Sequence, residues 1–175
     1  RLIPDADVSS ISATGIYKYQ SLRLGLEAGL RYDIFNVKTT EFGIKDSLEY
    51  FPKLDLTYRS VNGSLGGTYR INEYATVKVN VSTGFRAPNL AELTSNGLHE
   101  GVFQYEIGNS SFKSEQSVEG DIGFVIESKY VSMDVSAYNN RINDYIYLAQ
   151  TTDRLRGSPV FRFFQSNATL KGIEA

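Results

Sequence analysis

The chain holds a single imidazole, and it stands beside a carboxylate: His99 and Glu100, within Ser95-Asn96-Gly97-Leu98-His99-Glu100-Gly101. Imidazole and carboxylate are ligands that zinc accepts, and imidazole also serves haem iron. One imidazole is far short of a full ligand set, so no permanently bound cofactor is expected. Cysteine is absent, which removes thiolate metal sites, thiol nucleophiles and any disulfide framework. A Ser-His-Asp triad could recruit only His99, and no Gly-x-Ser-x-Gly elbow presents a serine to it. Carboxylate pairs for hydrolysis can be drawn from many Asp and Glu residues. Most of these sit on polar strand faces, where simple hydration accounts for them. The residues therefore point away from an enzyme. Phe103, Tyr105 and Tyr145 are aromatic loop candidates for stacking on a flat ligand.

The elements that must position these residues have a period of two. Leu22, Leu24, Leu26, Ala28, Leu30, Tyr32 and Ile34 alternate with Arg23, Gly25, Glu27, Gly29, Arg31 and Asp33. The pattern recurs from Ile11 to Tyr19, Val61 to Ile71, Val77 to Phe85, Val118 to Ile126, Val131 to Ala137, and through Phe163 to Leu170. On the last of these, Ala168 and Leu170 oppose Gln165, Asn167, Thr169 and Lys171. This predicts about seven strands, and the helix signal is confined to one turn after Pro88. Apolar residues change parity between Tyr58 and Val61, which marks a bulge or a loop end. Short turns at Gln20-Ser21, Asn72-Glu73 and Glu127-Ser128-Lys129 alternate with long connections at Asn36 to Lys53, Ala87 to Gln116 and Ala149 to Ser158. One end of the sheet thus collects tight turns and the other large loops, as in outer-membrane barrels. Tyr17, Tyr19, Tyr69, Tyr74 and Tyr130 cluster beside the tight turns, where an interfacial girdle would sit.

A soluble β-sandwich, an adhesion or carbohydrate-binding module, also alternates apolar and polar residues. Three features oppose it. Several strands run to about 10–14 residues, where about 5–6 is usual; the polar faces are ionic; and the loops are very unequal. The net charge of −2 indicates no nucleic-acid partner. No apolar run reaches the length of a membrane-spanning helix, and the opening Arg1-Leu2-Ile3-Pro4-Asp5 lacks the core of a signal peptide.

Two stretches narrow the choice. Ser82-Thr83-Gly84-Phe85-Arg86-Ala87-Pro88-Asn89-Leu90-Ala91-Glu92-Leu93 resembles the Phe-Arg-Ala-Pro box of TonB-dependent outer-membrane receptors. Glu106 to Ser117 resembles that family's Gly-Asn-Pro-x-Leu-Lys-Pro-Glu-x-Ser box, with Ser110, Phe112 and Ser114 in place of Pro, Leu and Pro. Tyr138 to Leu148 and Gln165 to Glu174 are similar to the strands that follow. Leu2 to Asp5 is similar to the approach to an upstream strand, and only Thr39 to Ser60 matches weakly.

The resemblance implies an all-β antiparallel up-and-down meander, an open segment of a barrel of about 22 strands. Residues 1–175 would be a partial barrel domain from the C-terminal half, without a plug. It implies a place in the outer membrane of a Gram-negative bacterium. The partners would be membrane lipid, the receptor's own plug domain and the TonB complex. It implies import of a metal-containing nutrient: a ferric siderophore, haem or zinc, present as cargo. In haem-transporting members a His between the two boxes binds iron, and zinc-transporting members share an Asn-Gly-x-His pattern. His99 is the metal-contact candidate on that basis, with Glu100 as its helper. Arg86, facing the lumen, would pair with a plug carboxylate or with the wall through Glu119 or Glu92. Leu24, Leu26, Val79, Val81, Ile122, Phe124, Val131 and Met133 should face lipid. Arg23, Glu27, Arg31, Lys78, Asn80, Glu119, Asp121 and Asp134 should face the lumen.

Overall fold

Period-two alternation needs a sheet with two unlike faces, and the chain builds one sheet. A computed structural model of the protein describes residues 2–45, 47 and 50–175. Positions 1, 46, 48 and 49, in the opening segment and the first expected long connection, lie outside the described residues. In chain order the elements are β1 (Ala6–Gln20), β2 (Leu24–Thr39), β3 (Asp55–Arg70), β4 (Ala75–Arg86), α1 (Leu90–Thr94), β5 (Asn96–His99), β6 (Gln104–Ile107), β7 (Glu115–Glu127), β8 (Ser132–Leu155) and β9 (Ser158–Glu174). The seven long strands pair in sequence order as an antiparallel meander, and the β5–β6 hairpin then lies along β9. There is no second packed sheet among the described residues, so the sandwich alternative falls.

One face is ionic. Lys18 pairs with Glu27 at 2.8 Å, Arg31 with Asp33 at 2.8 Å and Lys78 with Asp134 at 3.6 Å. Asn80 donates to Asp121 at 3.0 Å and Asn140 to Glu119 at 2.9 Å. Exposed pairs of this kind contribute only about 0–1 kcal/mol each, but they show that the expected lumen residues share a face. The opposite face carries Leu26, Val79, Val81, Ile122 and Met133, all exposed.

The apolar face has a slanted upper edge. Tyr17, Ala28, Leu65, Val81, Gly120, Asn139 and Lys171 form one continuous line of directly paired residues across the seven long strands. Above this line, same-face apolar residues reach Ile11 on β1 and Ile34 on β2, but only Val61 on β3, Phe85 on β4 and Val118 on β7. On β8 and β9 the line itself is already polar. The edge falls by six residues, about 20 Å, across five strand spacings, about 24 Å. That slope of about 40° matches the 35–45° tilt of strands in membrane barrels. A horizontal apolar belt around tilted strands must look slanted in the strand frame.

Four expectations need correction. The connection expected at Ala149 to Ser158 is a two-residue turn, Arg156-Gly157, with φ of 50° and 84°. Positive φ at both central residues suits a hairpin turn of the twisted I′ kind. The polar run Thr151-Thr152-Asp153 reads as loop but stays in β8, across a register shift between Gln150 and Arg154. The parity change at Tyr58 to Val61 is no bulge, because the β2–β3 register is unbroken. Leu56 and Tyr58 belong to the ionic face, which turns apolar there because the long loop packs on it. On β9, Leu170 pairs with Asn140 on the ionic face, and Lys171 points the other way. Finally, the meander is not purely antiparallel: β6 runs parallel to β9 over Tyr105↔Val160, Glu106↔Phe161 and Ile107↔Arg162. It supplies partners to part of an edge that would otherwise be open.

The packed core lies at the long-loop end, on the ionic side. Val37, Leu93, Phe112 and Ile146 are buried together, with Phe35, Leu56, Leu90 and Phe163 packed against them. Strand residues supply its floor, and the 87–114 connection supplies its lid.

Candidate functional site

The 87–114 connection is held by a cluster of charged groups where β4 and β7 end. Arg86 and Glu115 are directly paired residues. The Arg86 guanidinium donates to both oxygens of Glu115, through Nε at 2.8 Å and through Nη2. Through Nη1 it also donates to both oxygens of Glu92 on α1, at 3.0 and 2.9 Å. A planar guanidinium can serve two carboxylates at once, which an ammonium cannot do with the same geometry. Glu92 is in turn half of a capping box: Asn89 Oδ1 accepts from Glu92 N at 2.9 Å, and Glu92 Oε2 accepts from Asn89 N at 2.8 Å. Such a cap lets a helix of a single turn form directly after Pro88. Glu115 Oε1 also accepts from the Ile146 N–H at 2.8 Å, which ties β8 to the cluster.

Glu115 lies beyond Val118, outside the membrane-spanning part of β7. Burial raises its carboxyl pKa, but the Arg86 hydrogen bond and charge, with the Ile146 N–H, outweigh burial and hold it below the usual carboxylate value. Arg86, at the corresponding end of β4, has its pKa raised, chiefly by Glu115.

The second box docks on the first through backbone. Gly108 N donates to Ser95 O at 2.7 Å, and Asn109 N to Glu92 O at 2.8 Å, satisfying carbonyls at the end of α1. A Cβ at Gly108 would lie 2.8 Å from Glu92 O, Thr94 N and Ser95 N. Those neighbours are backbone and cannot swing away. Gly108→Ala is therefore expected to loosen the loop by about 1–3 kcal/mol, read as faster amide exchange at Leu93 and Ser95. Gly101→Ala, whose Cβ would meet only the His99 ring at 4.0 Å, should leave exchange unchanged. Beyond the docking point, Gln165 clasps Lys113, donating to its carbonyl at 2.7 Å and accepting from its N–H at 3.2 Å.

Held this way, the connection projects the β5–β6 hairpin. One side of the hairpin lies on β9, and on the other Asn96 N donates to Leu2 O at 3.0 Å. His99 is near its tip with its side chain 48% exposed, and Nδ1 lies 2.8 Å from Glu106 Oε1. Gln104 donates to the same oxygen at 2.7 Å. The carboxylate that orients the imidazole is thus Glu106, across the hairpin, and not the sequence neighbour Glu100. Cross-strand pairing explains this, since side chains at adjacent strand positions point to opposite faces. Glu100 instead lines a cavity of about 240 Å³ with Gly97, Leu98, Tyr105, Leu155, Arg156 and Ser158. Among the described residues no group of three or more His, Cys, Asp or Glu side chains could hold a metal.

The aromatic candidates separate. Phe103 is 74% exposed in the hairpin turn, with φ of 50°. Tyr105 is 3% exposed, and its hydroxyl donates to Asn96 Oδ1 at 3.1 Å, so it packs the hairpin. Tyr145 lies on the face of β8 opposite Ile146, away from the loop, stacked on Tyr147 with ring centroids 6.4 Å apart. Glu119 faces the ionic side but contacts Asn140, not Arg86. The sequence reading did not foresee the roles of Gly108, Asn89 and Glu106.

Comparison with known proteins agrees with this architecture. The family model described as "TonB dependent receptor-like, beta-barrel" matches residues 3–175. The vitamin B12 transporter BtuB of Vibrio vulnificus is 28% identical over 165 residues, covering 94% of this chain and 22% of that protein. Transferrin-binding protein A of Neisseria meningitidis serogroup B is 26% identical over 163 residues, covering 87% of this chain and 16% of that protein. The chain therefore spans about a fifth of the length of these relatives. Among solved structures, the Serratia marcescens hemophore receptor HasR, in complex with HasA and heme, superposes with a TM-score of 0.72 at 18% identity, over 96% of this chain and 31% of that one. The copper transporter OprC superposes with a TM-score of 0.75 at 19% identity, over 98% and 25%. Two faces, a belt slanted by strand tilt, loops gathered at one end and a match along nearly the whole chain agree: this chain belongs to the TonB-dependent receptor family of Gram-negative outer-membrane proteins, as a segment of the β-barrel wall.

Proposed function

We infer that the receptor carrying this segment imports a metal-containing nutrient, a ferric siderophore, haem or zinc, across the outer membrane with energy delivered through TonB. The relatives and structural neighbours are named for vitamin B12, transferrin, heme, copper and siderophores. The single observation that carries the metal reading is the His99–Glu106 pair, with the imidazole half exposed near the tip of an anchored hairpin and the carboxylate buried behind it. A carboxylate on Nδ1 fixes the ring and leaves Nε2 for a ligand, the arrangement that metal-binding imidazoles use. One exposed donor suits a passing contact with cargo that brings most of its own ligands. Phe103 at the same tip is the aromatic available to a flat ligand. The lumen face, with Glu119 and the other ionic residues, is where the plug would rest. Arg86 serves the wall and the loop, since both of its terminal nitrogens are taken by Glu92 and Glu115.

The test is growth of cells carrying His99→Ala or Glu106→Gln receptors on haem, on limiting zinc and on ferric siderophores separately. Selective loss on one source is expected, larger for His99→Ala. Unchanged growth on all three with both variants would sink the metal-contact assignment.

A further inference from the structure

The β5–β6 hairpin meets the β8–β9 hairpin at the long-loop end, because β6 runs beside the start of β9. The cavity of about 240 Å³ between them takes one wall from each. Leu98, Glu100 and Tyr105 come from the first hairpin, and Leu155, Arg156 and Ser158 from the second. The two walls thus carry opposite charges. The Glu100 carboxylate makes no hydrogen bond or ion pair among the described residues, so the charges share the cavity without closing it on each other. Arg156 is positioned by its turn, with φ of 50° followed by 84° at Gly157. A guanidinium carries five N–H donors and can serve more than one acceptor. Ser158 stands opposite Leu155 as β9 begins. Tyr105 is buried and its hydroxyl is committed to Asn96, so it offers the cavity its ring. His99 does not line this cavity.

We propose that this cavity binds a free α-amino acid of the size of leucine. Its ammonium would rest on Glu100, its carboxylate on Arg156 and Ser158, and its side chain against Leu98, Leu155 and the Tyr105 ring. A guanidinium takes a carboxylate through paired N–H donors, and a carboxylate is a charge-assisted acceptor for an ammonium. A ligand with one charge would leave the opposite wall unanswered, so a zwitterion is selected over an amine or an acid. A dry cavity of about 150 Å³ admits benzene, so one of this size has room for about nine heavy atoms. Among the described residues no third charge lines the cavity, which disfavours charged side chains. A few placed polar groups on an apolar floor are what small-molecule sites usually present. Because the walls belong to separate hairpins, the occupant would tie the long loop to the top of β8 and β9. The proposal rests on these two hairpins and is independent of the imported substrate.

The test uses the full receptor purified from outer membranes into detergent and titrated calorimetrically. The probes are leucine, leucinamide, which keeps only the ammonium, and 4-methylpentanoate, which keeps only the carboxylate. Leucine should bind about tenfold or more tightly than either. Glu100→Gln should weaken leucine by about the same factor and leave 4-methylpentanoate unchanged. Arg156→Gln should weaken leucine likewise and leave leucinamide unchanged. Ser158→Ala should give a smaller loss, and Lys129→Gln, at a tight turn at the other end of the sheet, none. Misfolding does not produce this crossed pattern, and heat-modifiable gel migration reports that each barrel is folded. Absence of leucine binding at millimolar concentration would overturn the proposal. Equal affinity for the three probes would overturn the zwitterion assignment. Wild-type leucine binding by both charge variants would put the ligand elsewhere and overturn the site.

Discussion

An Arg86→Ala receptor will keep its barrel and release its long loop. The guanidinium is the only cation between Glu92 and Glu115 among the described residues, and those side chains are 8% and 10% exposed. Removing one partner of a buried pair leaves uncompensated charge and typically costs about 3–5 kcal/mol. Arg86 itself is 42% exposed, so part of the cost is screened by water, and about 3 kcal/mol is the expected loss. The loss is local. The sheet is held by ladders that do not involve Arg86, whereas the lid of the core, Leu93 and Phe112, depends on α1 staying in place. Hydrogen exchange should quicken at Leu93, Phe112 and Ile146, and proteases should cut within 87–114, with heat-modifiable migration unchanged. Arg86→Lys should fall between, since an ammonium cannot fork to both carboxylates. Acid should mimic the variant. Glu115 has a depressed pKa in the fold, so its contribution is full above the unfolded carboxylate value and is lost as pH falls from there through the lowered folded value. A barrel that unfolds globally with Arg86→Ala, while the loop stays protected, would show that the cluster secures the wall and not the loop.

This arrangement also explains what could and could not be read from the chain. The long strands were legible because one residue in two must face an apolar surface, and the two motif boxes were legible as residue patterns. That the boxes are one physical unit was not: Arg86 finds Glu115 across 29 positions, and Gly108 finds the end of α1 through backbone alone. No local pattern encodes a distant backbone contact. Glu106 was missed as the partner of His99 for the same reason, since only the hairpin brings the two together. The β8 extension failed for a different cause. Past Thr151 neither face of β8 is buried, so alternation fades while strand pairing continues. On β9 an apolar lumen position, Leu170, imitated a lipid-facing one.

The belt's slant yields the second large effect. Leu30 lies one outer position above the line through Ala28, and Val118 one outer position above the same line at Gly120. In the strand frame they are at equal height. In the membrane frame they are not, because Leu30 has apolar outer neighbours to both sides on β2, from Leu24 to Ile34, while Val118 is the last apolar outer residue of β7. Arginine on the lipid face costs about 2–4 kcal/mol at the midplane and about 0–1 near the interface. Leu30→Arg should therefore cost the former and Val118→Arg the latter, in denaturant unfolding of the purified receptor from lipid vesicles. Glu27→Ala, which removes only an exposed pair with Lys18, should cost less than about 1 kcal/mol. Equal costs for the two arginines would mean that the belt follows the hydrogen-bonded rows and that the strands are not tilted as inferred. A Glu27→Ala cost as large as that of Leu30→Arg would mean that the two faces of the wall have been assigned the wrong way round.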